Sequence, residues 1–391
     1  MVKVISEVRR ELEENILPFW ISRMPDRSGG FIGRIDGKGT ACPDSEKGAI
    51  LNARIMWTFA SAWRIFKKKE YLETAERAFC YISSRFLDKT AGGVYWSLNP
   101  DGTPKDSKKQ FYAIAFTIYA FAEYYRACGD RQALDYAIGL FRTVEGHSLD
   151  GEGGGYIEAC TREWGPIEDM RLSDKDQNDA KTMNTHLHIL EAYTGLYRVW
   201  KDESLQKALR GVIDIFIHRI IRSDGHLGLF FDEKWNSTSS AVSYGHDIEA
   251  SWLLCEAADV LGDRKDEVKA AAIRLAEAAM EGFTAGGGME YEYDPSTGRR
   301  NVSREWWVQA ETVVGCFNMF QLTGAAIWME RAAAQWEFIK KNLICPDGEW
   351  YWSVLPQGGG FVANTDDDRA GFWKCPYHNG RMCMELIERF Q

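Results

Sequence analysis

GAILNARIMWTFASAWRIFK, residues 48–67, is apolar and aromatic around most of its circumference. A helix with that pattern is buried on all sides. KDESLQKALRGVIDIFIHRI, residues 201–220, reads differently: its apolar residues recur at i, i+3, i+4 and i+7, with Lys, Arg and Glu between them. That pattern gives an outer helix with one face on a core and one in water. The chain alternates between these two kinds. The strongly apolar segments are 48–67, 107–128, 181–200, 242–261, 304–323 and 376–390, and their amphipathic partners are 2–20, 70–86, 131–145, 203–221, 265–282 and 327–342.

The segments between helix pairs repeat as well. Six of them set glycine beside an aromatic or β-like stretch: Gly29-Gly30-Phe31, Gly92 to Trp96, Gly153 to Tyr156, Gly225 to Phe230, Gly286 to Tyr291 and Gly348 to Trp352. Each reads as a short hairpin, often led by an acidic residue such as Asp88, Asp150, Asp224 or Asp347. Six buried helices, six outer helices and six hairpins predict an all-α (α/α)6 barrel. An open solenoid is the alternative, but it need not stop at six repeats or carry polar groups on its inner helices. No Ser- or Pro-rich linker divides the chain, and Pro25, Pro43, Pro100, Pro295 and Pro356 fall in connections, so a single domain over 1–391 is expected.

Composition narrows the function. Among 391 residues, 47 are basic and 57 acidic, a net charge of −10, and no basic stripe is present, so no nucleic-acid partner is expected. No apolar run approaches the roughly 20 residues of a membrane span. The amphipathic start, MVKVISEVRRELEEN, reads as a helix and not as a signal peptide. Nine cysteines without a CxxC pair fit reduced thiols in a cytoplasmic protein. Aromatic residues are abundant, at 13 % with 15 Trp. They serve either a large helical core or a carbohydrate site, where a sugar's apolar face stacks on a ring.

Polar residues inside the apolar helices are the candidates for chemistry, because such a barrel has its natural pocket at the end of its axis. Every inner helix supplies at least one: Arg54, Tyr112, Asn184 with His188, His246 with Glu249, Glu311, and His378. His246 and Glu249 are three apart and share a face, so the carboxylate is placed to fix the imidazole's tautomer. HxxE spacing also suits half of a metal site; no second set at that spacing is read here, so no metal is expected. Asn184 and His188 share a face, and His186 points elsewhere. Pro376 puts His378 near a helix N-terminus, where the dipole lowers an imidazole's pKa. Trp306 and Trp307 point in different directions, one to core and one to the pocket. Trp373 is free to stack on a sugar. No GxGxxG, Walker or GxSxG motif occurs, so no nucleotide cofactor is implied. What remains is cofactor-free proton transfer or hydrolysis by paired carboxylates.

The segments KGAILNARIMW (47–57), KTMNTHLHILEAYTGLYRV (181–199), AVSYGHDIEASWLL (241–254), WWVQAETVVGCFN (306–318) and WKCPYHNGRMC (373–383) resemble the N-acylglucosamine 2-epimerase superfamily, and within it the cellobiose (mannobiose) 2-epimerase family. The resemblance runs essentially end to end. It implies an (α/α)6 barrel and a cofactor-independent epimerase that inverts C2 of the reducing-end sugar of β-1,4-linked disaccharides. By the same resemblance His246 and His378 are the acid/base pair, and His188 assists ring opening or steadies the intermediate. Arg54 binds the oxygen near the reacting carbon. Glu249 is the carboxylate partner, and Tyr112, Asn184, Trp307 and Trp373 touch the sugar, with Glu311 beside them. Asp176, in a loop, faces the distal sugar. The implied partner is a small disaccharide, with no obligatory protein partner. The competing readings are an aldose–ketose isomerase or a glycoside hydrolase on the same barrel, or an N-acetylglucosamine 2-epimerase. The Gly-rich segment 357–360 is a possible change at the pocket rim.

Overall fold

The computed structural model describes residues 2–390. Its helices are α1 (Val2–Glu11), α2 (Leu17–Arg23), α3 (Ala49–Phe66), α4 (Lys69–Tyr81), α5 (Phe111–Cys128), α6 (Arg131–His147), α7 (Met183–Val199), α8 (Glu203–Ile215), α9 (Tyr244–Leu261), α10 (Lys265–Ala279), α11 (Trp306–Thr323), α12 (Ala326–Asn342) and α13 (Tyr377–Arg389). The odd-numbered helices from α3 to α13 pack in sequence, α3 on α5, α5 on α7, α7 on α9, α9 on α11 and α11 on α13, and α13 returns to α3. That is a closed ring of six. Each of α4, α6, α8, α10 and α12 packs on the inner helix before it, and α1 packs on α13. The two ends of the chain thus complete the outer layer, and the barrel is an (α/α)6 toroid.

Inner helices are buried along nearly their whole length, from Ala49 to Ala62 in α3 and from Phe111 to Tyr124 in α5, as their all-round apolarity requires. Glycine also serves where two of them pack tightly. A Cβ on Gly315 of α11 would lie 2.4 Å from a side-chain atom of Ile248 on α9. The outer helices follow their amphipathic pattern. Three continue into a widened π turn, at Leu12–Ile16, Ile82–Phe86 and Phe216–Ile220. No helix among the described residues is long and apolar enough to cross a membrane.

Six hairpins cap one end of the ring, closed by antiparallel bridges Pro25–Phe31, Leu87–Val94, Leu149–Tyr156, Ile221–Leu227, Phe283–Met289 and Ile344–Trp350. Residues just ahead of each inner helix leave helical geometry to pair with the loop that follows. Lys47-Gly48 pairs with Ser97-Leu98, Lys109-Gln110 with Ala159-Cys160, Lys181-Thr182 with Phe230-Phe231, Val242-Ser243 with Glu292-Tyr293, and Arg304-Glu305 with Ser353-Val354. Ile35 bridges Ala370 to close the cycle. Inner helices therefore start one to four residues later than the apolar segments do, because those leading residues spend their backbone groups on the neighbouring loop.

A buried cation recurs at this junction. Lys47 pairs with Asp26 (2.5 Å), Lys109 with Asp88 (2.9 Å), Lys181 with Asp150 (2.7 Å), Arg304 with Glu290 (3.6 Å) and Lys374 with Glu349 (2.7 Å). Each pair fastens a glycine hairpin to the start of an inner helix. In the fourth repeat Val242 takes the cation's place, and the polarity reverses: His226 of the hairpin meets Asp247 of α9 at 2.7 Å. Segment 357–360 is the exposed turn of a hairpin between Ser353–Gln357 and Gly360–Ala363 and does not line the cavity described below.

Candidate active site

The hairpin end of the barrel opens into a cavity of about 400 Å³. Its walls include Arg54 of α3, Tyr112 of α5, Asn184 and His188 of α7, His246 and Glu249 of α9, Trp307 of α11 and His378 of α13, so all six inner helices contribute. Trp373 and the loop residue Asp176 complete the set. Ten of the eleven residues singled out in the sequence share this one cavity. The eleventh, Glu311, lies behind the wall: it is fully buried and reaches the cavity only through His378.

Three imidazoles present themselves with one nitrogen already engaged. His378 Nδ1 lies 2.7 Å from Glu311 Oε1, and His188 Nδ1 lies 3.0 Å from Glu191 Oε2. His246 Nδ1 lies 2.7 Å from Ser243 Oγ. Burial holds His246 and His378 down to about 3, His246 further lowered by His188, and His378 lowered although Glu311 pulls the other way. Burial, followed by the charges of Arg54 and Arg381, holds His188 well below its ordinary value. All three are neutral at pH 7. His246 and His378 both pack on the ring of Trp307, at centroid distances of 4.7 and 5.7 Å. His186, by contrast, has both nitrogens committed: Nδ1 to Thr182 O at 2.7 Å, and Nε2 accepting Tyr156 N–H at 3.0 Å. It is a structural histidine.

Arg54 is 3 % exposed and has no carboxylate in ion-pair range among the described residues. Its guanidinium donates to Tyr112 Oη at 2.8 Å and stacks on Phe116 at 4.1 Å. A buried cation without a counter-ion, at the wall of a cavity, is placed to receive an anionic oxygen. Asn184 Oδ1 likewise lacks a hydrogen-bond partner. Trp306, Trp307, Trp352, Trp373 and Tyr291 supply aromatic surface.

A family model for N-acylglucosamine 2-epimerase matches residues 30–375. The chain is 53 % identical to the cellobiose 2-epimerase of Bacteroides fragilis over 97 % of this chain and 98 % of that protein. The chain belongs to the N-acylglucosamine 2-epimerase family. A second relative in this family, the cellobiose 2-epimerase of Ruminococcus albus, is 38 % identical over 99 % of both chains. The solved cellobiose 2-epimerase of Bacillus thermoamylovorans superposes with a TM-score of 0.95 at 38 % identity, covering all of both chains.

Several sequence expectations change on this member of the 2-epimerase family. Glu249 does not partner His246: its Oε1 accepts from Arg381 Nη2 at 2.7 Å, and Ser243 takes the imidazole instead. A second HxxE does exist, His188 with Glu191, and here the pair is made. Both Trp306 and Trp307 line the cavity, rather than one facing the core. The neutrality of His378 comes chiefly from burial, not from the helix dipole.

Arg381 and Glu191 were not read as site residues, although each lies three residues after a cavity histidine. Arg381 is fully buried and bonds Glu191, Tyr377, Glu249 (2.7 Å) and Glu311 (2.6 Å). Glu249, Glu311 and His378 offer atoms within 4.8 Å of one another, a spacing that suits a metal ion. The guanidinium of Arg381 already stands between those carboxylates as their cation. Against the burial that raises it, Arg381 and His378 pull the Glu311 carboxyl down to about 2, whereas burial and the charge of Glu311 push Glu249 well up. Glu305 was also missed. It lines the cavity, accepts from Trp307 Nε1 at 3.0 Å and is raised by burial to about 7.

Proposed function

We propose that the protein is a 2-epimerase of β-1,4-linked disaccharides such as cellobiose and mannobiose, with residues 1–391 acting as one catalytic domain. The observation that carries this reading is the convergence of three neutral imidazoles, each with its Nδ1 engaged, around a buried arginine that lacks a counter-ion. The names of the full-length relatives supply the substrate class.

The C2 proton of a closed sugar ring is not acidic. Once the ring opens, the aldehyde at C1 makes it so, and a neutral imidazole removes it to leave an enediolate. His378, held through Nδ1 by Glu311, offers Nε2 to the cavity, and its carboxylate partner stabilises the imidazolium that forms. His246 is the second base, and a proton returned from the opposite face inverts C2. Arg54 stabilises the developing oxyanion. His188, backed by Glu191, assists ring opening. Trp307, Trp373, Tyr112, Asn184 and Asp176 hold the two sugar rings. The exchange of one proton for another leaves the oxidation state of carbon unchanged, so the reaction needs no redox cofactor.

Hydrolysis by paired carboxylates fits less well. Such a pair must flank the scissile bond, about 5–10 Å apart. Glu249 and Glu311 instead share one guanidinium nitrogen, and Glu311 faces away from the cavity.

NMR of products from cellobiose and from β-1,4-mannobiose tests the proposal. Expected are glucosyl-mannose and mannosyl-glucose with the glycosidic bond intact, and deuterium at C2 when the reaction runs in D2O. A ketose product, cleavage of the disaccharide, or a C2 free of solvent deuterium overturns it.

A further inference from the structure

Helix α9 begins at Tyr244, so Ser243 is its N-cap residue and His246 its third residue. A serine in that position ordinarily accepts the backbone N–H of the second or third helical residue, a bond worth about 1 kcal/mol. Ser243 makes no such bond. Thr182, in the same place ahead of α7, caps in the ordinary way and accepts Thr185 N–H at 3.1 Å. The Ser243 hydroxyl has been turned from the helix end to the imidazole of His246, 2.7 Å away. Ser243 is buried, with 3 % of its surface exposed.

We propose that Ser243 is a positioning residue for His246: its Oγ accepts the Nδ1–H and so fixes the tautomer whose Nε2 lone pair faces the cavity. This rests on the reading of His246 as a C2 base. The choice of a hydroxyl has a chemical consequence. A carboxylate at Nδ1, as Glu311 provides for His378, stabilises the imidazolium; a neutral hydroxyl orients the ring without doing so to the same degree. The two bases therefore differ in what receives the Nδ1–H, a carboxylate at His378 and a hydroxyl at His246. The Ser243 hydroxyl hydrogen is left free for a side chamber of about 80 Å³ that Ser243 and His246 line together with Asn184, Glu158 and Tyr291. That volume admits water.

The test is made on the full-length chain. Long-range 1H–15N spectra of histidine-labelled protein, with the His246 signals assigned from H246Q, read the tautomer whether or not the enzyme turns over. Wild type is expected to carry the proton on Nδ1 of His246, and S243A to show a mixture of tautomers. In S243A kcat falls about 10²-fold, in the range of a lost acid–base contribution, with KM within about threefold. S243T, which keeps the hydroxyl, restores most of the rate. A proton on Nε2 in the wild type, an unchanged kcat in S243A, or a rate loss that S243T does not rescue overturns the proposal. If wild type epimerises neither disaccharide, the reading of the site fails, and the tautomer spectra still decide whether Ser243 orients His246.

Discussion

Each histidine of the cavity has a different neighbour at Nδ1, and that neighbour, more than the histidine itself, sets what the ring can do. H378A and H246A are each expected to lose at least about 10³-fold in kcat, within the span of general acid–base catalysis, with circular dichroism and Tm near wild type. Wild-type turnover in either variant removes the acid/base assignment. Glu305 makes a separate prediction. Its carboxyl, raised to about 7 by burial, changes charge inside the cavity at working pH. A plot of kcat/KM against pH should therefore step near pH 7, and the step should vanish in E305Q. At this scale the face that His188 shares with Asn184 gave it a slight edge over His186 in the sequence; the bonds to both nitrogens of His186 decided it. The sequence did not reveal Arg381 or Glu191, because their importance lies in partners that the chain brings from elsewhere: Glu311 is 70 residues from Arg381, and Tyr377 is 186 from Glu191. Glu305 was hidden for another reason: its partner Trp307 is local, but its burial in the cavity wall is not.

The elements that carry these residues are held by two devices, close helix packing and buried ion pairs at the hairpins. Gly315 leaves no room for a side chain between α9 and α11, which together bear His246, Glu249 and Glu311. G315A forces those helices apart and should cost about 1–3 kcal/mol, as overpacking does, with a fall in kcat as the imidazoles and their partners move out of register. Chemical denaturation and kinetics on one sample check both effects. Lys374 and Glu349 are fully buried at the last hairpin, and Glu349 also accepts from Trp20 and Asn379. K374M strands that carboxylate and should cost about 3–5 kcal/mol, the penalty for breaking a buried pair; a midpoint close to wild type in denaturant would contradict this. The helices were legible element by element because their two patterns differ so plainly. The short pairings ahead of the inner helices were not. Residues such as Lys181-Thr182 carry no local strand signal, and only the neighbouring loop makes them extended.

At the scale of the whole barrel, burying neutral imidazoles ties stability to pH. His246 and His378 sit at about 3 in the folded chain against 6.5 for the ordinary side chain. Between those values the unfolded chain binds protons that the folded chain does not, so stability falls as pH drops below about 6.5 and levels off near 3. Each histidine contributes a slope of up to about 1.4 kcal/mol per pH unit in that window. Denaturation midpoints measured from pH 7 to pH 4 should fall accordingly. The double variant H246Q/H378Q should show a shallower decline, and an equal slope would place the acid sensitivity elsewhere. The ring also makes its parts interdependent, since every inner helix is one wall of the same cavity and α1 from one end of the chain seals α13 from the other.

By itself the sequence determined the alternation of buried and amphipathic helices, their sixfold count, the glycine hairpins and the polar residues that face inward, because periodicity and all-round apolarity are local properties of a helix. The tertiary structure alone decided which groups meet: that Ser243 and not Glu249 takes His246, that Arg381 ties together three carboxylates, and that Arg54 is left without a counter-ion. Those are matters of distance across a closed ring, and distance between helices far apart in the chain is set by packing rather than by spacing along it.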